Sequence, residues 1–172
     1  NPRSTLSPNK VVIEDQADSA DFWNTFDFVS LGAVTLPAGA DRVQVDLHDG
    51  TSWHLGGAGA TAVLPDLPAA QVEGIRFTFT RADGGLFSST LPAANWTASA
   101  AFTVHVRDTY RDSDDEVAFD HAVTNTQTSQ STRTDGNDSA KKDADARITL
   151  SPGTHEIAVN KLSNNGNRLV SV

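Results

Sequence analysis

Residues 75–81 read Ile75-Arg76-Phe77-Thr78-Phe79-Thr80-Arg81. Apolar and polar side chains alternate without a break, the period of a strand with one face against a core. The same alternation recurs in Phe102-Thr103-Val104-His105-Val106-Arg107-Asp108 and in Val43-Gln44-Val45-Asp46-Leu47-His48. Asp49-Gly50 follows the second of these and leads into Thr51-Ser52-Trp53-His54-Leu55. Asp-Gly between two such runs predicts a hairpin whose two turn residues both take positive φ.

Working outward, further strands are predicted over Lys10–Glu14, Phe26–Leu31, Val117–Thr126, Arg147–Leu150, His155–Val159 and Arg168–Val172. The stretch from Thr124 to Thr134 has strand propensity but is polar on both sides, which predicts an exposed edge or a strand running into solvent. Helical signal is confined to two short turns. One has Ser19 as N-cap before Phe22, Trp23 and Phe26; the other spans Pro68–Gly74, with proline early and glycine at its end. Neither is long enough to connect parallel strands. Gly56–Ala60 and Asp135–Asp145 read as loops, and Ser163–Asn167 as a turn or interdomain linker. No internal repeat is evident. The expectation is an all-β fold, an antiparallel sandwich with one or two short helical turns.

The 172 residues carry a net charge of −9 and contain neither cysteine nor methionine. The length suits one domain, or one domain and a piece of another. Without cysteine there is no disulfide framework, thiolate zinc site or cysteine nucleophile. The negative charge argues against nucleic acid and against an anionic membrane surface as partners. No apolar run approaches the length of a membrane span or a signal-peptide core. A first residue other than methionine leads to the expectation of a processed or excised fragment.

Several groups of residues suggest chemistry. Asp112, Asp114, Asp115, Glu116 and Asp120 are hard oxygen donors in one segment, which suits calcium, although the spacing is not that of an EF-hand. The competing reading is a solvated acidic loop. Asp135-Gly136-Asn137-Asp138 with Asp143 and Asp145 is a second candidate, opposed by Lys141 and Lys142 in the same stretch. His48 and His54 flank the hairpin, but the five histidines show no zinc-ligand spacing. Trp53 and Trp96 suit stacking on a glycan if exposed, whereas Trp23, among Phe22, Phe26 and Phe28, reads as core. Asn95-Trp96-Thr97 and Asn137-Asp138-Ser139 match the glycosylation pattern. No nucleophile elbow or selective carboxylate pair appears, so a non-enzymatic protein is expected.

A series of short motifs occurs in a telling order. These are Val11-Val12-Ile13-Glu14-Asp15, Phe26-Asp27-Phe28-Val29, Pro37-Ala38-Gly39-Ala40-Asp41, Val72 to Phe79, Val106-Arg107-Asp108-Thr109 and Val123-Thr124-Asn125-Thr126. The order resembles the immunoglobulin-like β-sandwich repeat modules of large Gram-positive surface proteins of adhesin or fimbrial type. The resemblance implies a structural or adhesive module of a secreted or cell-surface protein, associated with the cell wall or a pilus. It would space or present a binding region. The partners would be neighbouring modules, a surface glycan or a host-cell protein. The module would occupy residues 1–160 without its usual first strands and assemble by strand exchange; residues 161–172 would be a linker or the first strand of a following module. The resemblance also implies a lysine–asparagine isopeptide cross-link, with Asn125 as the asparagine, Asp15 as the buried acid and Lys10 standing in for the lysine. The alternative is a ligand-binding module for a glycan or calcium. A hydrolase built on the sandwich is the third reading and requires a pocket holding close carboxylates or a Ser–His contact.

Overall fold

A computed structural model describes residues 8–15, 20–87, 97–132, 138–151, 156–164 and 168–171. In chain order the elements are β1 (Lys10–Asp15), α1 (Ala20–Thr25), β2 (Phe26–Thr35), β3 (Arg42–His48), β4 (Trp53–His54), β5 (Gly74–Thr80), β6 (Thr97–Val106), β7 (Ala122–Thr132), β8 (Asp138–Thr149), β9 (Glu156–Asn164) and β10 (Arg168–Ser171). A 3-10 turn, Ala69–Gln71, precedes β5. The strands form a six-stranded sheet in the order β4-β3-β5-β1-β7-β8 and a four-stranded sheet in the order β10-β9-β6-β2. All the strand pairings described are antiparallel. The all-β sandwich expected from the alternation is the fold observed.

The alternating runs bury the side chains they should. Val43, Val45 and Leu47 of β3, Ile75, Phe77 and Phe79 of β5, and Ile13 of β1 face inward from the large sheet. Phe26 and Phe28 of β2 and Ala98, Ala100, Phe102, Val104 and Val106 of β6 meet them from the small one. Phe22 and Trp23 of α1 complete the core, with Phe22 edge-on to Trp23 and Trp23 stacked on Phe102. The short helix thus exists because its aromatic residues have a core to enter.

Several expectations are corrected. β7 is not an edge: it lies between β1 and β8, and Asn125, Gln127 and Ser129 on its inner face are buried. Residues 138–145 are not a loop. They belong to β8, a long strand whose Asp143 and Asp145 accept hydrogen bonds from Thr128 and Thr126 across the pair. Lys141, Lys142, Asp143 and Asp145 are exposed along it. β7 also starts at Ala122, so Val117 is buried from within the preceding loop. The β3–β4 hairpin forms with His48 opposite Trp53, leaving residues 49–52 as its connection, and only Gly50 there has positive φ, at 84°. Asp49 acts through its side chain, Oδ1 accepting from the Thr51 and Ser52 N–H groups. Its Oδ2 lies 2.7 Å from His54 Nε2. That bond, with the two N–H groups, holds the Asp49 carboxyl well below the usual carboxylate range. Residues 161–164 continue β9 beside β6, and 168–171 return as β10 in the same sheet. The Ser19 cap lies outside the described residues.

Candidate functional site

α1 marks one end of the sandwich, and the segment 107–121 folds over it. Within that segment Thr109 pairs with Glu116, the Tyr110 N–H donates to the Asp115 carbonyl and the Val117 N–H to that of Asp108. Arg111 fastens the segment to the body. Its guanidinium donates to the carbonyls of Trp23 (2.9 Å), Ala70 (2.6 Å), Val72 (3.3 Å) and Phe26 (3.4 Å), and to Asp27 Oδ1 (2.9 Å). Arg107 shares Asp27 at 2.6 Å. A planar fork with five donors is the side chain able to satisfy acceptors spread over three segments. Asn24 adds a further tie, its Oδ1 accepting the Asp112 N–H at 3.0 Å.

Between this segment, α1 and the β3–β4 hairpin lies a cleft of about 430 Å³. Asp21, Trp23 and Asn24 supply one wall, Arg111 and Asp112 another, and His48, Gly50 and Glu73 the third. A smaller cleft of about 250 Å³ shares Asp21, Asn24 and Asp112 and is completed by Thr25, Tyr110 and His121. His48 is 8% exposed, and its Nδ1 accepts the Gly50 N–H at 3.0 Å. The neutral ring therefore carries its proton on Nε2. Gly50 is required by its backbone conformation, and it also gives the flexible Glu73 carboxylate room to lie close. Its φ is positive, and a Cβ there would fall 2.6 Å from Glu73 Oε2. The cation of the cleft, Arg111, is committed to internal partners, whereas the Asp21 and Asp112 side chains are exposed to solvent.

Trp53 is half-buried and already occupied. The Arg76 guanidinium sits 4.2 Å above its ring, and His48 packs on it at 4.9 Å. Arg76 in turn makes two bonds to Asp46 Oδ2, at 3.0 and 2.8 Å, while Asp46 Oδ1 accepts from Gln44 and from the Gly56 N–H. This is a packed ion-pair cluster on the outer face of the large sheet, with little free ring for a sugar. Trp96, the other glycan candidate, lies outside the described residues.

Asp112, Asp114, Asp115, Glu116 and Asp120 are all exposed along the 107–121 segment. Among the described residues no three His, Asp or Glu side chains converge to hold a metal ion. The small hairpin explains this: its backbone bonds spread the carboxylates outward, and Asp120 takes φ 60°, with its N–H donating to the Leu150 carbonyl. The calcium reading therefore gains no geometric support.

Of the cross-link residues, Asp15 and Asn125 are each 1% exposed and share the inner face of adjacent strands. Trp23 Nε1 donates to Asp15 Oδ1 at 3.1 Å. Lys10 does not join them. It is exposed at the opposite end of β1, about 16 Å from Asp15 by strand rise, and an odd number of residues away, hence on the other face. Gln127, on the same inner face, is 3% exposed and its Nε2 meets no hydrogen-bond partner among the described residues. Gln127→Leu is accordingly expected to leave stability unchanged or raise it by about 1 kcal/mol in urea unfolding, because a buried donor without a partner is a net cost. A loss above about 2 kcal/mol would contradict that account.

The cleft was not legible in the sequence. Arg111 belongs to no motif or periodic run, and nothing in the sequence links it to Asn24, His48 or Glu73. Comparison with known protein families and with curated proteins finds no match for the chain.

Proposed function

We propose that the chain is a structural or adhesive module of a secreted or cell-surface multidomain protein, where it spaces or presents a binding region. The observation that supports this reading is the placement of β1. It lies inside the six-stranded sheet, paired with β5 from Lys10–Thr80 to Asp15–Ile75 and with β7 from Lys10–Thr132 to Glu14–Thr128. It begins at the end of the sandwich away from α1, whereas β10 runs from that end toward α1. Tension along β1 would therefore load two hydrogen-bond ladders at once in shear rather than peel them one bond at a time. That arrangement suits a bead in a load-bearing string.

The test is single-molecule stretching of the full chain with handles at Pro8 and at the C-terminal end. Loss of β10, which has four ladder positions, is expected first at low force. One cooperative high-force rupture of the remaining sandwich should follow. Gradual extension at low force, with no such rupture, would remove the load-bearing reading.

A further inference from the structure

We infer that the cleft beside α1 is a saccharide site, taking a neutral sugar through paired hydroxyl groups. The inference is independent of the spacer reading and goes beyond it. Three features of the cleft carry the argument.

The first is its hydrogen-bonding inventory. The Asp21, Glu73 and Asp112 carboxylates line the cleft as acceptors. His48, more than nine-tenths buried, lines it as a donor, because Nδ1 is taken by the Gly50 N–H and the proton lies on Nε2. No acceptor meets that Nε2 among the described residues. Asn24 adds an amide N–H₂, since its Oδ1 is held by the Asp112 N–H. Carboxylates and an imidazole N–H donor lining one space call for an atom that donates and accepts together. A hydroxyl does both. An ammonium or guanidinium ligand would satisfy the carboxylates but leave the imidazole donor unmet. A carboxylate or phosphate ligand would meet the imidazole but face three carboxylates against one guanidinium, that of Arg111, which already lies 3.8 Å from Glu73 Oε1 and is bonded to internal acceptors.

The second is size. At about 430 Å³ the cleft falls within the range of roughly 300–1,000 Å³ typical of small-molecule sites. The adjoining 250 Å³, with the half-buried ring of Tyr110, extends the same walls far enough for a second sugar unit.

The third is rigidity. Arg111 ties one wall to five acceptors, and the Asp49 carboxylate ties down the hairpin that carries His48 and Gly50. Little ordering is left for a ligand to supply, which favours weak polar recognition of the kind sugars need.

The test applies the labelled full-length chain to an array of neutral oligosaccharides and their uronate- or sialate-terminated counterparts. Binding is expected on neutral members. The double variant Asp21→Asn/Asp112→Asn should bind about tenfold more weakly or worse, the loss expected when charge-assisted hydrogen bonds are weakened. Asp114→Asn, an exposed carboxylate of the same segment outside the cleft, should bind like the parent. All three proteins should melt at the same temperature, because the substituted side chains are exposed. The tightest neutral sugar should also shift the His48 imidazole nitrogen resonances in solution. Failure to bind any neutral sugar, preference for the anionic ones, or equal binding by the double variant and the parent would each overturn the assignment. None of these outcomes depends on how the chain responds to force.

Discussion

Phe102→Ala is expected to destabilise the protein by about 4 kcal/mol, the range for a large aromatic removed from a closed core. Phe102 is 1% exposed and is the residue on which the aromatic cluster converges. Its ring lies 6.4 Å from Phe22, 5.9 Å from Trp23 and 6.3 Å from Phe28, centroid to centroid. The substitution opens a void between β6, β2 and α1, and α1 is too short to hold its shape without that contact. Urea unfolding measures the loss. Phe102→Leu should recover much of it, because most of the volume returns. A cost under about 1 kcal/mol for the alanine variant would mean that the sheets do not pack through this residue.

Arg111→Ala is expected to cost about 3 kcal/mol. The side chain is 16% exposed, and its removal leaves four carbonyls and one carboxylate short of a donor. Each unmet buried acceptor costs roughly 1–3 kcal/mol, less here because water reaches part of the site. Arg111→Lys should restore only a fraction, since a single ammonium cannot span acceptors on α1, β2 and the segment before β5. Hydrogen exchange is the more telling readout. Protection should fall in residues 107–121 and near Ala69–Gln71, while β5 and β6 stay protected. Uniform loss over both sheets, or no loss in the 107–121 segment, would show that Arg111 does not fasten that segment.

These two residues differ in how far they could be read beforehand. Phe102 sits in an alternating run, so its burial followed from period two alone. Arg111 has no period and no motif. Its acceptors are backbone carbonyls of residues 23, 26, 70 and 72, distant in sequence and chemically anonymous. His48 shows both sides in one residue. Its place at the hairpin was plain from Asp49-Gly50, but its position in a cleft wall depends on where Glu73 and Asp112 arrive. Trp53 suits a glycan only if its ring is exposed, and Arg76, two strands away on β5, lies over that ring.

β7 shows the limit most clearly. Its Thr, Ser, Asn and Gln side chains describe an exposed strand by every local measure. The fold nevertheless places it between β1 and β8, with Thr126 and Thr128 bonded to Asp145 and Asp143 outside and Asn125, Gln127 and Ser129 buried inside. By itself the sequence determined the all-β class, the strands with apolar–polar alternation, the hairpin at Asp49-Gly50 and the two helical turns. The first three arise from patterns within a few residues of the chain; of the helical turns the sequence marks only the position, and α1 keeps its shape through its packing on Phe102. Tertiary structure alone decided which strands are neighbours, which polar side chains are buried and which walls enclose the cleft. Those choices are set when the apolar faces of β1, β2, β3, β5 and β6 are buried together, and that requirement acts between residues far apart in the chain, Ile13 and Phe102 among them.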